Sequence, residues 1–277
     1  MFGKQLYDEL IKRGHSFSTE NPDVHLAFIQ SSKKVVPMVV RLDGIYYNTD
    51  QDWKSLNSPI FRTYVDSDHI IFQSDFSRDL VTSFFGEKNH TIINNGTNFD
   101  EISKIDPFDD PLLKNFDKVW SCASTWRPHK RLSENIRYFE ENSGKDDCLI
   151  IAGDGYNEKV SDERIFYVGN LSRNDLISLY KRSDTFIHLG FHDNCPNVVV
   201  DARASGCKII CAGSGGTRTI AGPEAIVVEE DPWDFKPMKL YNPPRLDFDR
   251  SIVNRIESNI DISFVAHRYE KVLQEIL

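Results

Sequence analysis

Apolar positions in this chain come in short unbroken runs, separated by stretches in which they return every three or four residues. The first pattern is that of a strand buried on both faces, the second that of a helix with one buried side. In the first half, Val24–Ile29, Pro37–Leu42, His69–Gln73 and Thr91–Asn94 predict strands, and Phe2–Arg13, Ser58–Val65 and Ser77–Phe85 predict helices. Gly14-His15 closes the first helix. In the second half the strands are Lys118–Ala123, Cys148–Ala152, Ile165–Val168, Thr185–Leu189, Lys208–Ala212 and Ala225–Val228, with helices Arg131–Glu141, Arg173–Arg182 and Asn197–Ser205 between them. Such alternation indicates βαβ units and parallel sheets, an α/β protein.

The stretch Phe99 to Phe116, FDEISKIDPFDDPLLKNF, interrupts this order. It is acidic, carries two prolines and has no sustained period, so it reads as a linker between domains. After Pro232 the chain is irregular through Pro243-Pro244 and then ends in a helix from Ile262 to Leu277. The expected division is an amino-terminal domain over residues 1–107, a second domain over 108–260, and a terminal helix, 261–277, packing back on the first domain. Doubly wound domains usually begin with a strand, whereas this chain begins inside a helix. Either the first strand of the amino domain is absent or the chain has lost its beginning.

Composition narrows the classes. The 277 residues, 40% hydrophobic and 27% charged, suit a soluble globular protein with a core in each of two domains. A net charge of −9 argues against non-specific binding to nucleic acid or an anionic membrane, and leaves room for a local basic pocket and peripheral membrane contact. No apolar run approaches the roughly 20 residues that span a bilayer, and MFGKQLYDELIKRGH is amphipathic rather than a signal peptide. Cys122, Cys148, Cys195, Cys207 and Cys211 show no metal-type pairing, which points to a reduced, cytoplasmic setting.

The candidate chemistry lies between Gly190 and Gly216, GFHDNCPNVVVDARASGCKIICAGSGG. Asp193 stands in the loop after one strand, Pro196 opens a short helix, Asp201 interrupts its apolar run, and a second strand leads into Gly215-Gly216. Open α/β sheets bind ligands at such strand ends. After Lys118–Ala123, Arg127 and Lys130 occupy another strand-to-helix turn, where cations suit phosphate oxygens. Carboxylates suit hydroxyl groups, so the two sets supply the kinds of group that a ligand with a diphosphate and two polyol ends would need. Taken singly, each has a plainer reading, Asp193 as a helix cap and Arg127 with Lys130 as a solvated turn. Asp66-Ser67-Asp68 precedes a strand and reads as a surface turn; no metal-ligand cluster is evident.

As an ordered set these motifs resemble the retaining glycosyltransferases of family 4. Asp193, seven residues, Asp201-Ala202, Gly206 and KIICAG followed by Gly-Gly are similar to that family's Glu-x7-Glu signature. LIIAGDG (Leu149–Gly155) and FYVGNLSRNDLISLYKRSD (Phe166–Asp184) resemble further landmarks, and VVRLDG, HIIFQSDFSRDLV and IINNGTN resemble the family's amino domain. The resemblance implies the GT-B fold, two Rossmann-like doubly wound domains facing across a cleft, and transfer from a UDP- or GDP-linked sugar to a glycan, glycoprotein or lipid-linked acceptor, without a cofactor. It implies that Arg127 and Lys130 hold the diphosphate and that Asp193 accepts hydrogen bonds from the donor sugar. Asn194, Cys195, Pro196, Asn197 and Val198 would offer the loop and backbone amides, and Asp201 would hold the ribose. Val168, Gly169, Asn170 and Leu171 would line the base pocket, and Asp43 and Gly44 would face the acceptor. Both family glutamates are aspartates here, and the position five before the lysine is Thr125, with Arg127 only three before it. A nucleotide-sugar epimerase or hydrolase of the same fold, and a non-catalytic binding relative, are the alternative readings.

Overall fold

The computed structural model describes residues 2–156 and 160–277. They form two compact units: the chain up to Asn98 together with Trp233–Leu240 and Asn259–Leu277, and Phe99–Pro232 together with Tyr241–Ser258.

The first unit runs α1 (Phe2–Lys12), β1 (His25–Phe28), β2 (Met38–Leu42), α2 (Trp53–Asp66), β3 (His69–Phe72), α3 (Asp75–Phe85) and β4 (His90–Ile92). Its four strands are parallel, in the order β1-β2-β3-β4. Every residue of β2 is buried, Arg41 included, which explains the apolar run Met38–Val40 at its start. Two elements depart instructively from the expected ones. The helix predicted from Ser58 begins at Trp53, where the Asp52 carboxylate accepts the Ser55 amide at 3.2 Å, and Pro59 lies inside it. Proline favours a first helical turn, so Ser58-Pro59 imitated a helix start. The last strand lies at His90–Ile92 instead of Thr91–Asn94, and the Asn94 amide caps the neighbouring strand end by donating to the Gln73 carbonyl at 2.6 Å.

The second unit opens with α4 (Phe99–Ser103) and a 3-10 turn at Pro111–Asn115. It continues with β5 (Val119–Ala123), α5 (Leu132–Asn142), β6 (Cys148–Ala152), β7 (Ile165–Gly169), α6 (Arg173–Arg182), β8 (Thr185–His188) and α7 (Asn197–Ala204). β9 (Lys208–Ala212), α8 (Thr217–Ile220), β10 (Ile226–Val228) and β11 (Ser251–Val253) complete it. The stretch expected to be a linker is therefore corrected. It is fastened to α6, where Lys181 donates to the Ile105 carbonyl at 2.5 Å and Ser178 to the Asp106 carbonyl at 2.7 Å. The region expected to be irregular holds β11, an antiparallel edge strand on β10. Three residues are too few to show an alternation.

The seven strands are ordered β11-β10-β9-β8-β5-β6-β7. The chain thus builds outward from β5 in one direction, through β6 and β7, and then returns to β8 on its other side. In open α/β sheets the crevice that takes a ligand lies at such a reversal, here between the carboxyl ends of β5 and β8. Trp120, Cys122, Phe139, Leu149, Ile151 and Ile187 are among the core residues beneath it.

The chain ends in α9 (Ile262–Glu275), which belongs to the first unit. Its Val265, Ala266, Tyr269 and Val272 pack with Phe2 and Leu6 of α1, with Val39 and Ile71 of the sheet, and with Ile93 just past β4. A Cβ on Gly96 would lie 2.8 Å from Val265 Cγ2, so this packing needs the glycine. Trp233–Leu240 also joins the first unit, with the Met238 carbonyl accepting the Thr49 amide at 2.9 Å.

Candidate functional site

Four loops converge over the reversal point of the second unit. After β5 the chain passes through Ser124–Arg127, a 3-10 turn at Pro128–Lys130, and Arg131 in the left-handed region (φ 52, ψ 50) before α5 begins. The turn rests on the loop after β6: Trp126 donates its ring N–H to the Ala152 carbonyl at 2.9 Å and its amide to Asp154 at 2.6 Å. A Cβ on Gly153 would stand 1.8 Å from the Ser124 carbonyl oxygen, so only glycine permits this approach. The loop after β8 joins the same turn, because Phe191 donates its amide to the His129 carbonyl at 2.7 Å. From the loop after β9, Gly216 donates its amide to the Asp193 carbonyl at 2.7 Å.

The charged centre of this assembly is Asp193. Its Oδ2 accepts from Lys130 Nζ, in a tight ion pair, and from His188 Nε2 at 3.0 Å. Its Oδ1 takes no hydrogen bond among the described residues. Burial alone would raise the Asp193 carboxyl, but the Lys130 ammonium and the His188 ring reverse this and hold it well below the usual carboxylate range. Arg127 is exposed beside them, and its guanidinium has no hydrogen bond or ion pair among the described residues. The sequence separated cations for phosphate from carboxylates for hydroxyls; the structure pairs one of each.

Behind this centre lies a second network, which sequence reasoning missed. The Arg131 guanidinium is buried, donating to Glu230 Oε1 at 2.7 Å and to the Pro244 carbonyl at 2.8 Å, and lying 4.7 Å from the centre of the Phe191 ring. Glu230 Oε2 accepts the Ser214 hydroxyl and amide. The ion pair thus ties the loop after β5 to the loop after β10, and through Phe191 and Ser214 the loops after β8 and β9 are held to it. Read from sequence, Arg131 was merely the first residue of a helix.

The other expected residues of the second unit lie on α7, on the turn before it and at the end of β7. Cys195 and Pro196 are buried, Asn194, Asn197 and Val198 half-buried, and Pro196 opens α7 with no side-chain cap. Asp201 is buried on α7, its Oδ1 3.3 Å from Arg173 of α6. At the end of β7, Val168 is exposed and Gly169 has φ +70; beyond it Leu171 is half-buried, and Asn170 donates to Asp154 Oδ2 at 2.6 Å. In the first unit Asp43 forms an ion pair with Arg41, a buried arginine that also donates to Asn95 Oδ1 at 2.8 Å, and Gly44 follows with φ +130. Asp68 accepts from Lys34 Nζ at 2.7 Å and from the Met38 amide at 2.8 Å, and so serves the turn between α2 and β3. Among the described residues, no group of three or more His, Cys, Asp or Glu is arranged to hold a metal.

Two histidines flank the centre. Burial, followed by the charges of Arg131 and His129, pushes His192 down to about 3; burial and the charge of Lys130 push His129 down to about 4. A histidine whose folded value is depressed adds stability that is present above its unfolded value, near 6.5, and is lost as pH falls toward the folded value. Urea midpoints should therefore decline from about pH 6.5 to pH 4. His192→Asn should flatten that decline, since asparagine tolerates the positive φ of 55 and does not titrate there. An unchanged slope would assign the acid sensitivity elsewhere.

Residues 109–235 match the family model for glycosyl transferases group 1. A comparison with curated proteins finds no match. Among solved structures the chain is similar to HepE from Anabaena in complex with UDP-glucose, at 15% identity and a TM-score of 0.59, over 87% of this chain and 72% of that one. It is similar to sucrose-phosphate synthase from Thermosynechococcus elongatus, at 12% identity and a TM-score of 0.65, over 99% and 78% of the two chains. It is also similar to a UDP-forming α,α-trehalose-phosphate synthase from Burkholderia xenovorans in complex with glucose-6-phosphate, at 13% identity and a TM-score of 0.56, over 87% and 68%. These likenesses establish the GT-B fold. No helix among the described residues is long and apolar enough to cross a membrane.

Proposed function

We propose that this chain is a retaining, metal-independent glycosyltransferase of family 4. It would move a sugar from a nucleoside diphosphate sugar to an acceptor hydroxyl. The observation that carries this reading is the Lys130–Asp193–His188 cluster at the reversal of strand order, with the exposed Arg127 beside it. Breaking a glycosyl–phosphate bond leaves negative charge on the departing diphosphate, and stabilising that charge is the main catalytic task. Lys130 and Arg127 supply cations where the diphosphate would lie, and the amino end of α7 supplies backbone amides.

Asp193, held by one oxygen, keeps Oδ1 for a hydroxyl of the donor sugar. Asp201 would take the ribose hydroxyls and Val168–Leu171 the base. UDP is the first donor base to test, because HepE is seen with UDP-glucose. Asp43 and Gly44 are the acceptor-side residues. For the acceptor, a glycan, glycoconjugate or phosphorylated sugar fits the reading, the last because of the glucose-6-phosphate complex. The first unit would serve the acceptor and the second the donor.

A thermal-shift screen with UDP, GDP, ADP and their glucose or mannose conjugates tests the donor site. A ligand at a hundred times its Kd adds about 2.7 kcal/mol of stability, so one base should raise Tm by several degrees and the other two much less. No shift with any of them would overturn the reading. Transfer from the conjugates of the selected base to sugar and sugar-phosphate acceptors then identifies the acceptor class.

A further inference from the structure

His188 has no part in the mechanism so far, yet it is the more deeply buried of the two groups that hold Asp193. It is the last residue of β8, 4% exposed, with its ring parallel to that of Phe186 (9°, 6.5 Å between centres). The space beside it is reserved, because a Cβ on Gly190 would come 3.0 Å from His188 Nε2 and 3.5 Å from Asp193 Oδ2. Lys130, by contrast, reaches Asp193 from a turn at the mouth of the crevice and remains partly exposed.

We infer that His188 is a positioning residue: it holds Asp193 when Lys130 turns from that carboxylate to the diphosphate of a bound nucleotide. The inference rests on the proposed donor site. A phosphate sharing the Lys130 ammonium would stand close to the Asp193 carboxylate and be repelled, so the ammonium must shift toward the ligand. A buried carboxylate stripped of its only donor is costly. The His188 N–H, fixed on a strand end, removes that cost and leaves Oδ1 for the sugar. In the resting protein, Lys130 and His188 share one oxygen; with nucleotide bound, His188 alone retains it.

The test is a double-mutant cycle read as nucleotide affinity by calorimetry, with UDP, GDP and ADP as probes and Tm as the check on folding. His188→Leu should weaken binding of the selected nucleoside diphosphate about tenfold, the effect of losing a hydrogen bond to a charged group. His188→Gln, whose amide N–H reaches to similar length, should restore affinity to within about twofold. In an Asp193→Asn background, where no charge remains to be held, His188→Leu should have no further effect. A merely structural role predicts the same loss in both backgrounds and no rescue by glutamine, and either result would overturn the inference while leaving the donor site standing. If no nucleotide binds the unmodified protein, the donor-site reading falls and this inference falls with it. Should His188→Leu fail to fold, His188→Asn, too short to reach Oδ2, takes its place in the cycle.

Discussion

Replacing Lys130 with methionine is expected to lower sugar transfer by about a hundredfold to a thousandfold, the range for removing one group that stabilises developing negative charge. Methionine keeps most of the side-chain length and removes the ammonium, so the loss reports charge rather than packing. The stability cost should be small. Lys130 is 21% exposed along its side chain, so little packing is lost with the ammonium. Asp193 also keeps His188 as a donor in the variant. Nucleoside diphosphate affinity should fall along with turnover, and the salt dependence of binding should weaken because one cation is gone. Arg127→Met should have a smaller effect in the same direction, since its guanidinium is exposed and held by no other side chain among the described residues. The measurements are calorimetric binding and nucleotide release from the donor chosen by the thermal screen. Unchanged affinity in Lys130→Met would remove Lys130 from the phosphate role.

Why Lys130 and Asp193 were legible in the sequence, and their supports were not, has a physical basis. Strands β6 and β9 in the second unit run within the limits read from hydrophobicity, because a parallel strand covered on both faces is an unbroken apolar run. Charged residues just past the ends of such runs stand out, which is how Arg127, Lys130 and Asp193 were found. His188 is hidden at the end of an apolar strand. Its one signal is a titratable side chain within Thr185–Leu189, and nothing local says what it faces. Glu230 lies in the acidic run Glu229-Glu230-Asp231, which reads as a solvated turn. Its partner Arg131 is 99 residues away, so no spacing rule links them. Topology brings the two together, and topology was read only as a class.

Glu230→Leu is expected to destabilise the second unit by about 3–5 kcal/mol, the cost of leaving one member of a buried ion pair uncompensated. The side chains of Arg131 and Glu230 are only 1% and 8% exposed, so water cannot replace the lost carboxylate. The Pro244 carbonyl and the Phe191 ring would remain around the guanidinium, and neither carries a neutralising charge. Ser214 would lose its acceptor as well, freeing the loop whose Gly216 amide holds the Asp193 carbonyl. Nucleotide binding should therefore weaken even where the variant remains folded. Adding Arg131→Gly should recover part of the stability, because it removes the stranded charge and because glycine adopts a φ of 52 without strain. Urea denaturation of the two single variants and the double variant measures this directly: the double should cost less than the sum of the singles. Additive losses would mean that the two side chains act separately. A cost below about 1 kcal/mol for Glu230→Leu would place the network among weak surface pairs. The expected coupling makes Arg131 and Glu230 the frame on which the turn carrying Lys130 is built, with the charge that meets the ligand and the charge that holds the turn on adjacent residues.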